Sequence, residues 1–176
     1  MIDLETIDTA TTAGILSVGI VAFNPDTGDI GPTLYRRLGY DQARLFGTES
    51  ADTLQWWQRQ SASVRAEAFA AEHDAIISAH EIADFIRHTA GVWGNGATFD
   101  ISIIEYWLAA TGAGVPYKPW VVRDCRTVED MAKRIGIARK QFIRRGDHHN
   151  ALDDAIYQAE YISGMWRGLT QVRAAV

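Results

Sequence analysis

The sequence predicts an α/β domain built around one mixed five-stranded sheet flanked by helices. Three observations predict it. Residues 1–38 hold apolar runs rich in β-branched side chains, parted by turn residues. Helical spacing dominates afterwards, interrupted by two brief apolar runs. The 176 residues, 47% apolar and 22% charged, have the size and composition of one globular domain with a sizeable core. Strands first, then helices alternating with short strands, is the pattern of a mixed sheet covered by helices.

Residues 1–5 read as a short first strand, and residues 6–14, with Thr9, Thr11, Thr12 and Gly14, as a polar loop. Ile15 to Phe23 is a second strand. Asn24-Pro25-Asp26-Thr27-Gly28-Asp29 is strong turn chemistry, so residues 30–38 return as a third strand antiparallel to the second. Residues 41–47 form a short helical turn. Asp52 or Thr53 is placed to cap a helix carrying Trp56 and Trp57, and Ser61 or Ser63 another through Phe69. From Ser78, the spacing of Ile82, Phe85, Ile86 and Thr89 is helical. Val92-Trp93 is a brief strand ended by Gly94-Asn95-Gly96. A helix then runs from about Phe99 to Thr111, with Ile104, Trp107 and Leu108 inward. Trp120-Val121-Val122 is the fifth strand, 127–136 a short helix and 137–148 a basic loop. The last helix spans about Asn150 to Trp166, with Leu152, Ile156, Ala159 and Ile162 inward. No repeat or linker divides the chain, which predicts one domain over 1–170 and a tail over 171–176.

Composition narrows the function classes. One cysteine, Cys125, excludes an internal disulfide framework and fits a reducing compartment. No apolar run approaches the roughly 20 residues that span a membrane. No basic segment with an apolar core opens the chain, so a cytoplasmic protein without a signal peptide is expected. Only two residues precede Asp3, which leaves room for a start upstream of Met1. The net charge of −5 argues against electrostatic coating of long nucleic acid, though not against gripping a few nucleotides through metals.

The chemistry begins in Met1-Ile2-Asp3-Leu4-Glu5-Thr6. On a strand, side chains at i and i+2 share a face, so Asp3 and Glu5 aim two charges one way. Like charges that close call for a positive group between them, and hard divalent cations prefer carboxylate oxygens. Asp100 follows a strand end and a glycine turn, which places it at the carboxyl edge of the sheet, where sites assemble in open α/β folds. Alone, it would equally be an acid favoured by a helix N-terminus. His148-His149-Asn150-Ala151-Leu152-Asp153-Asp154 pairs histidine and aspartate five residues apart, in two registers. Five residues of helix turn through about 500°, so the histidine belongs in the preceding loop and the aspartate in the early helix. Spacing alone does not choose between His149–Asp154 and His148–Asp153.

D-x-E on the first strand, F-D opening a middle helix and H-x-x-x-x-D opening the last helix resemble the DEDDh exonucleases. This DnaQ-like superfamily includes RNase T, oligoribonuclease and polymerase proofreading subunits. The resemblance covers residues 1 to about 166 and implies an RNase H-like fold. The segment Trp93 to Asp100 and the pair Trp56-Trp57 look most like a small bacterial and phage branch of exoribonucleases, which places the protein in the cytoplasm of a bacterial or phage-infected cell.

The resemblance implies that Asp3, Glu5, Asp100 and Asp154 hold two Mg2+ or Mn2+ ions and that His149 is the general base. Two such ions would bring the formal charge of −5 to −1. The small and apolar residues between His149 and Asp154 match the family's register. The common family form has Asn four residues before the third aspartate. Here Gly96 stands there and Asn95 one place earlier. Leu4, Thr6, Asn95, Gly96 and Phe99 are the expected neighbours of the terminal nucleotide. Trp56 and Trp57, about 100° apart on a helix, offer a base-stacking ring. Arg139, Lys140, Arg144 and Arg145 form the one dense basic run, with Arg145 the expected phosphate contact. As a lone charge run it would be a solvated face. The expected substrates are 3′ ends of single-stranded RNA or of DNA, released as nucleoside 5′-monophosphates. A catalytically weak binding module of the same fold is the alternative. The oligomeric state is open, a homodimer included.

Overall fold

The computed structural model describes residues 1–172. Its five strands are β1 (Ile2–Thr6), β2 (Ile15–Phe23), β3 (Ile30–Arg37), β4 (Val92–Gly94) and β5 (Val122–Asp124). They form one mixed sheet in the order β3-β2-β1-β4-β5. β1, β2 and β3 pair antiparallel, whereas β4 and β5 join in parallel. This is the expected α/β architecture, consistent with an RNase H-like exonuclease.

The helices are α1 (Gly39–Phe46), α2 (Ala51–Gln58), α3 (Ala62–Ala68), α4 (Ala75–Ile86), α5 (Asp100–Ala110), α6 (Cys125–Lys133) and α7 (Ala151–Val172). Strand parity divides them. Ile2 and Leu4 of β1, opposite Ile20 and Val18 of β2, bury one face of the sheet against α4 and α5. Met1, Val21 and Trp93 bury the other face against α6 and α7. Asp3 and Glu5 share the parity of Met1, so they face α7. A third cluster, around Ile7, Leu16 and Trp57, roots α2 and α3 beyond the end of β1.

Gly19 sets how closely α7 can approach. It pairs with Asp3 across the sheet, and a Cβ there would lie 2.2 Å from the backbone of Ala151. Its lack of a side chain lets the first turn of α7 lie directly on the sheet beside Asp3.

Several boundaries differ from the sequence expectation. Ser50, not Asp52 or Thr53, caps α2, its Oγ accepting from the Thr53 N–H. Asp52 instead sits in the first turn, where its charge suits the helix dipole. Asp74 starts α4 before Ser78 by accepting from Ile77 N–H at 2.9 Å. The fifth strand lies two residues later than expected, because Pro119–Val121 forms a 3₁₀ turn and Trp120 is 74% exposed. Asp124 caps α6, which therefore begins at Cys125 rather than 127. α7 runs past Trp166 to Val172, so the predicted tail begins inside this helix, and 173–176 lie outside the described residues. Among the described residues no helix is long and apolar enough to cross a membrane.

Candidate active site

β1 lies at the centre of the sheet, and its two acids meet α7 from below. One atom each of Glu5, His149 and Asp154 lie within 4.8 Å of one another, a spacing that can hold a metal ion. His149 Nδ1 stands 3.8 Å from Glu5 Oε1, in charge-pairing range but beyond a direct hydrogen bond. The His149 backbone N–H donates to Asp154 Oδ2 at 3.0 Å. The other oxygen of Asp154 accepts from Arg144, whose guanidinium also lies 4.5 Å from the centre of the Tyr157 ring. One turn beyond Asp154, Gln158 Nε2 donates to Asp3 Oδ1 at 2.6 Å. Asp154 and Gln158 thus use the i, i+4 relation of one helix face to reach both the imidazole loop and β1.

His149 and Asp154 come together, while His148 is exposed and Asp153 turns back to accept from Asp147 N–H at 2.8 Å. His149 adopts φ +62°, alone among described non-glycine residues in the left-handed region. That conformation turns the chain sharply from the loop into α7. Its ring packs edge-on against Trp56 at 5.0 Å and Trp57 at 6.2 Å.

Asp100 opens α5 on the far side of β1 from β2. Gly94, at the end of β4, makes the approach close, since a Cβ there would sit 3.3 Å from Asp100 Oδ2. Burial raises the Asp100 carboxyl to about 7, opposed by the backbone N–H groups of Asn95 and Asp100 and by the Arg126 charge. Asp3 is raised well above the carboxylate range by burial, then by the charges of Asp100, Glu5 and Asp154. Glu5 is raised by burial, with His149 opposing. His149 in turn is raised by the Glu5 carboxylate beside it.

Carboxyls held above their ordinary range by burial and by one another mark a pocket short of positive charge. The donor set of carboxylate oxygens fits hard divalent cations. Among the described residues, the counter-charges there are Arg144 on Asp154, Arg126 near Asp100 and the imidazole.

The expected substrate contacts divide. Trp56 is partly exposed beside His149 and keeps a ring for stacking. Trp57 is a correction: it is 2% exposed, and its Nε1–H donates to Thr6 O at 2.8 Å, so it is a core wall behind His149 rather than a base platform. The Leu4 side chain is buried on the opposite sheet face, so only its backbone borders the site. Thr6 is buried and donates its hydroxyl to Asp8 O. Asn95 lies 3.5 Å from the Tyr161 hydroxyl, facing α7. Gly96, at φ +112°, lies beneath the Arg126 guanidinium, and Phe99 packs partly into the core under α5. The basic run splits as well. Arg139 lies over Tyr157 and Tyr161, Arg144 binds Asp154, and Lys140 and Arg145 remain exposed.

Sequence reasoning did not single out Gln158, Gly19 or Arg126. For Gln158 a signal existed: four residues separate it from Asp154, which places both on one helical face.

Residues 1–166 match the family model described as the Rv2179c-like 3′-5′ exoribonuclease domain. No curated protein matches the chain.

Proposed function

The chain belongs to the Rv2179c-like 3′-5′ exoribonuclease domain family, and from that premise we propose that it is a two-metal exonuclease releasing nucleoside 5′-monophosphates from the 3′ ends of single-stranded RNA or of 3′ overhangs. The observation that carries this reading is the gathering of Glu5, His149 and Asp154 within 4.8 Å, with Asp3 tied to the same helix through Gln158.

Asp3, Glu5, Asp100 and Asp154 would hold two Mg2+ or Mn2+ ions. Such ions supply charge stabilisation for the attacking and leaving oxygens of a phosphodiester displacement. The residues do the rest. His149 turns Nδ1 toward Glu5, which leaves Nε2 to take the proton of the attacking water. The water oxygen bonds to phosphorus, the 3′ oxygen of the preceding nucleotide leaves and is protonated, and the terminal nucleotide departs with a 5′-phosphate. Gln158 fixes Asp3 Oδ1 in place, and the Trp56 ring stacks the terminal base. Asn95, Gly96, Phe99 and the backbone of Leu4 and Thr6 border the nucleotide, and Arg145 meets phosphate from the exposed loop.

The test uses 3′-labelled RNA and DNA oligomers, single- and double-stranded, with Mg2+ or with EDTA. Mg2+-dependent mononucleotide release that Asp3→Ala abolishes and His149→Ala cuts to a residual rate, about 10²–10⁴-fold lower, with folding intact, is the expected result. Preference for DNA would reassign the substrate and keep the chemistry, whereas binding without hydrolysis would leave a nucleic-acid-binding module. Full activity in His149→Ala with loss in His148→Ala would overturn the assignment of the base.

A further inference from the structure

The base must be held at an unfavourable backbone conformation, and the structure shows what holds it. The left-handed region crowds the Cβ of a non-glycine residue against its carbonyl and is unfavourable. His149 occupies it at φ +62°. On its N-terminal side, Arg145, Gly146, Asp147 and His148 are all exposed, with the Asp147 N–H held by Asp153 of α7 at 2.8 Å. On its C-terminal side stands Asn150. The Asn150 side-chain oxygen accepts from Leu152 N–H at 3.0 Å and Asp153 N–H at 3.1 Å, and its carbonyl accepts from Asp154 N–H at 2.9 Å. Asn150 is therefore the N-cap of the helix that carries Asp154 and Gln158.

The remaining group of that side chain points away from α7. Asn150 Nδ2 donates to Glu67 Oε1 on α3 at 3.2 Å, across 83 residues of chain. A carboxylate only accepts, so it selects the amide orientation in which nitrogen faces Glu67 and oxygen faces the helix N–H groups. Glu67 is itself held by two donors from β3. The Tyr35 hydroxyl donates to Oε1 at 2.9 Å and Arg37 Nη1 to Oε2 at 2.8 Å. Burial, then the Glu67 contact, keep the Tyr35 phenol protonated far above neutrality. The chain from β3 to α3 to Asn150 thus ends one residue from the imidazole, on its C-terminal side.

We infer that Glu67 is a positioning residue for the base: through Asn150 it fixes the turn that aims His149 into the acid pocket. The inference rests on His149 being the base. It names a role for α3 that the metal ligands do not require, since Glu67 neither lines the acid pocket nor touches its carboxylates.

The test compares wild type, Glu67→Ala, Glu67→Gln and Asn150→Ala, each also in a His149→Ala background, by single-turnover hydrolysis of a short RNA with Mg2+. Glu67→Ala is expected to lower kcat about tenfold, a part of the roughly 10²–10⁴ a general base supplies, with KM and Mn2+ affinity within about twofold of wild type. Glu67→Gln keeps an acceptor for Asn150 and is expected to recover most of the loss. Combined with His149→Ala, Glu67→Ala should remove nothing further, because its effect passes through the imidazole. In 1H–15N spectra, the dispersed side-chain amide pair of Asn150 should collapse toward the free value in Glu67→Ala alone. Wild-type kcat in Glu67→Ala overturns the inference, as does an equal loss with and without His149 or an unmoved Asn150 amide. Failure of wild type to release mononucleotides, or wild-type activity in His149→Ala, would instead sink the reading of the site.

Discussion

Arg144 and Asp154 form an ion pair inside the acid pocket, with the arginine side chain 17% and the aspartate 12% exposed. The pair occupies a carboxylate that the proposed reading assigns to metal binding. One nitrogen of the guanidinium, Nη1, is buried without a partner, so the arginine is neutralising charge rather than satisfying every donor. On that reading, a divalent cation at Asp154 would compete with it.

Arg144→Ala should therefore act in opposite directions on two measurements. Without metal, a mostly buried carboxylate loses its partner, and the melting temperature in EDTA falls. Each ~1 kcal/mol lost is worth about 2–4 °C in a chain of this size. Mn2+ titrated calorimetrically should bind more tightly than to wild type. Weaker Mn2+ binding in the variant would show that Arg144 supports the cation instead of competing with it.

The acids give the metal-free protein an unusual pH dependence. Asp3, Glu5 and Asp100 all have raised folded values, Asp100 about 7. A carboxyl raised by folding binds more protons in the native state than in the unfolded one. Its stabilising contribution is complete below its unfolded value of about 4 and is lost as pH rises through the folded value. His149, also raised, adds a contribution present below about 6.5 that fades above it in the same direction. Melting temperatures in EDTA should fall from pH 5 to pH 8, and saturating Mn2+ should flatten or reverse the slope. A metal-free protein more stable at pH 8 than at pH 5 would contradict the convergence of these acids.

Gly19→Ala tests the approach of α7. The added methyl would lie 2.2 Å from the Ala151 backbone, where nothing flexible can yield. Overpacking of this kind costs typically ~1–3 kcal/mol. The melting temperature should fall, and Mn2+ affinity with it, because Asp154 and Gln158 move away from β1 together. Unchanged metal affinity in a folded Gly19→Ala would show that α7 adjusts without disturbing the site.

The two tryptophans should separate by phenotype. Trp57→Ala empties a core position and should cost about 3–5 kcal/mol of stability. Trp56→Ala should leave the melting temperature nearly unchanged and raise KM for RNA about tenfold, the equivalent of ~1.4 kcal/mol, inside the range for one base stack. A wild-type KM in Trp56→Ala would remove that ring from substrate binding.

The fold and the acid cluster were legible because their signals are periodic. Asp3 and Glu5 obey strand parity, Asp100 follows a glycine turn, and the His149–Asp154 spacing separates loop from helix. What stayed hidden depends on tertiary contact. The pairing of Arg144 with Asp154 joins an irregular loop to the first turn of α7, ten residues on, and no local rule distinguishes Arg144 from Arg145 next door. Glu67 reaches Asn150 only after α3 has packed beside β3. Trp57 reads from its neighbours like Trp56, and only burial tells them apart. The start of the fifth strand is masked in the sequence because Trp120 is apolar yet points outward at 74% exposure.

The acids of β1 come from the beginning of the chain, whereas His149, Asp154 and Gln158 come from beyond residue 148. No polypeptide halted before that point contains both halves. On the proposed reading, a polypeptide that stops short of α7 would hold the β1 carboxylates without the groups that complete the site.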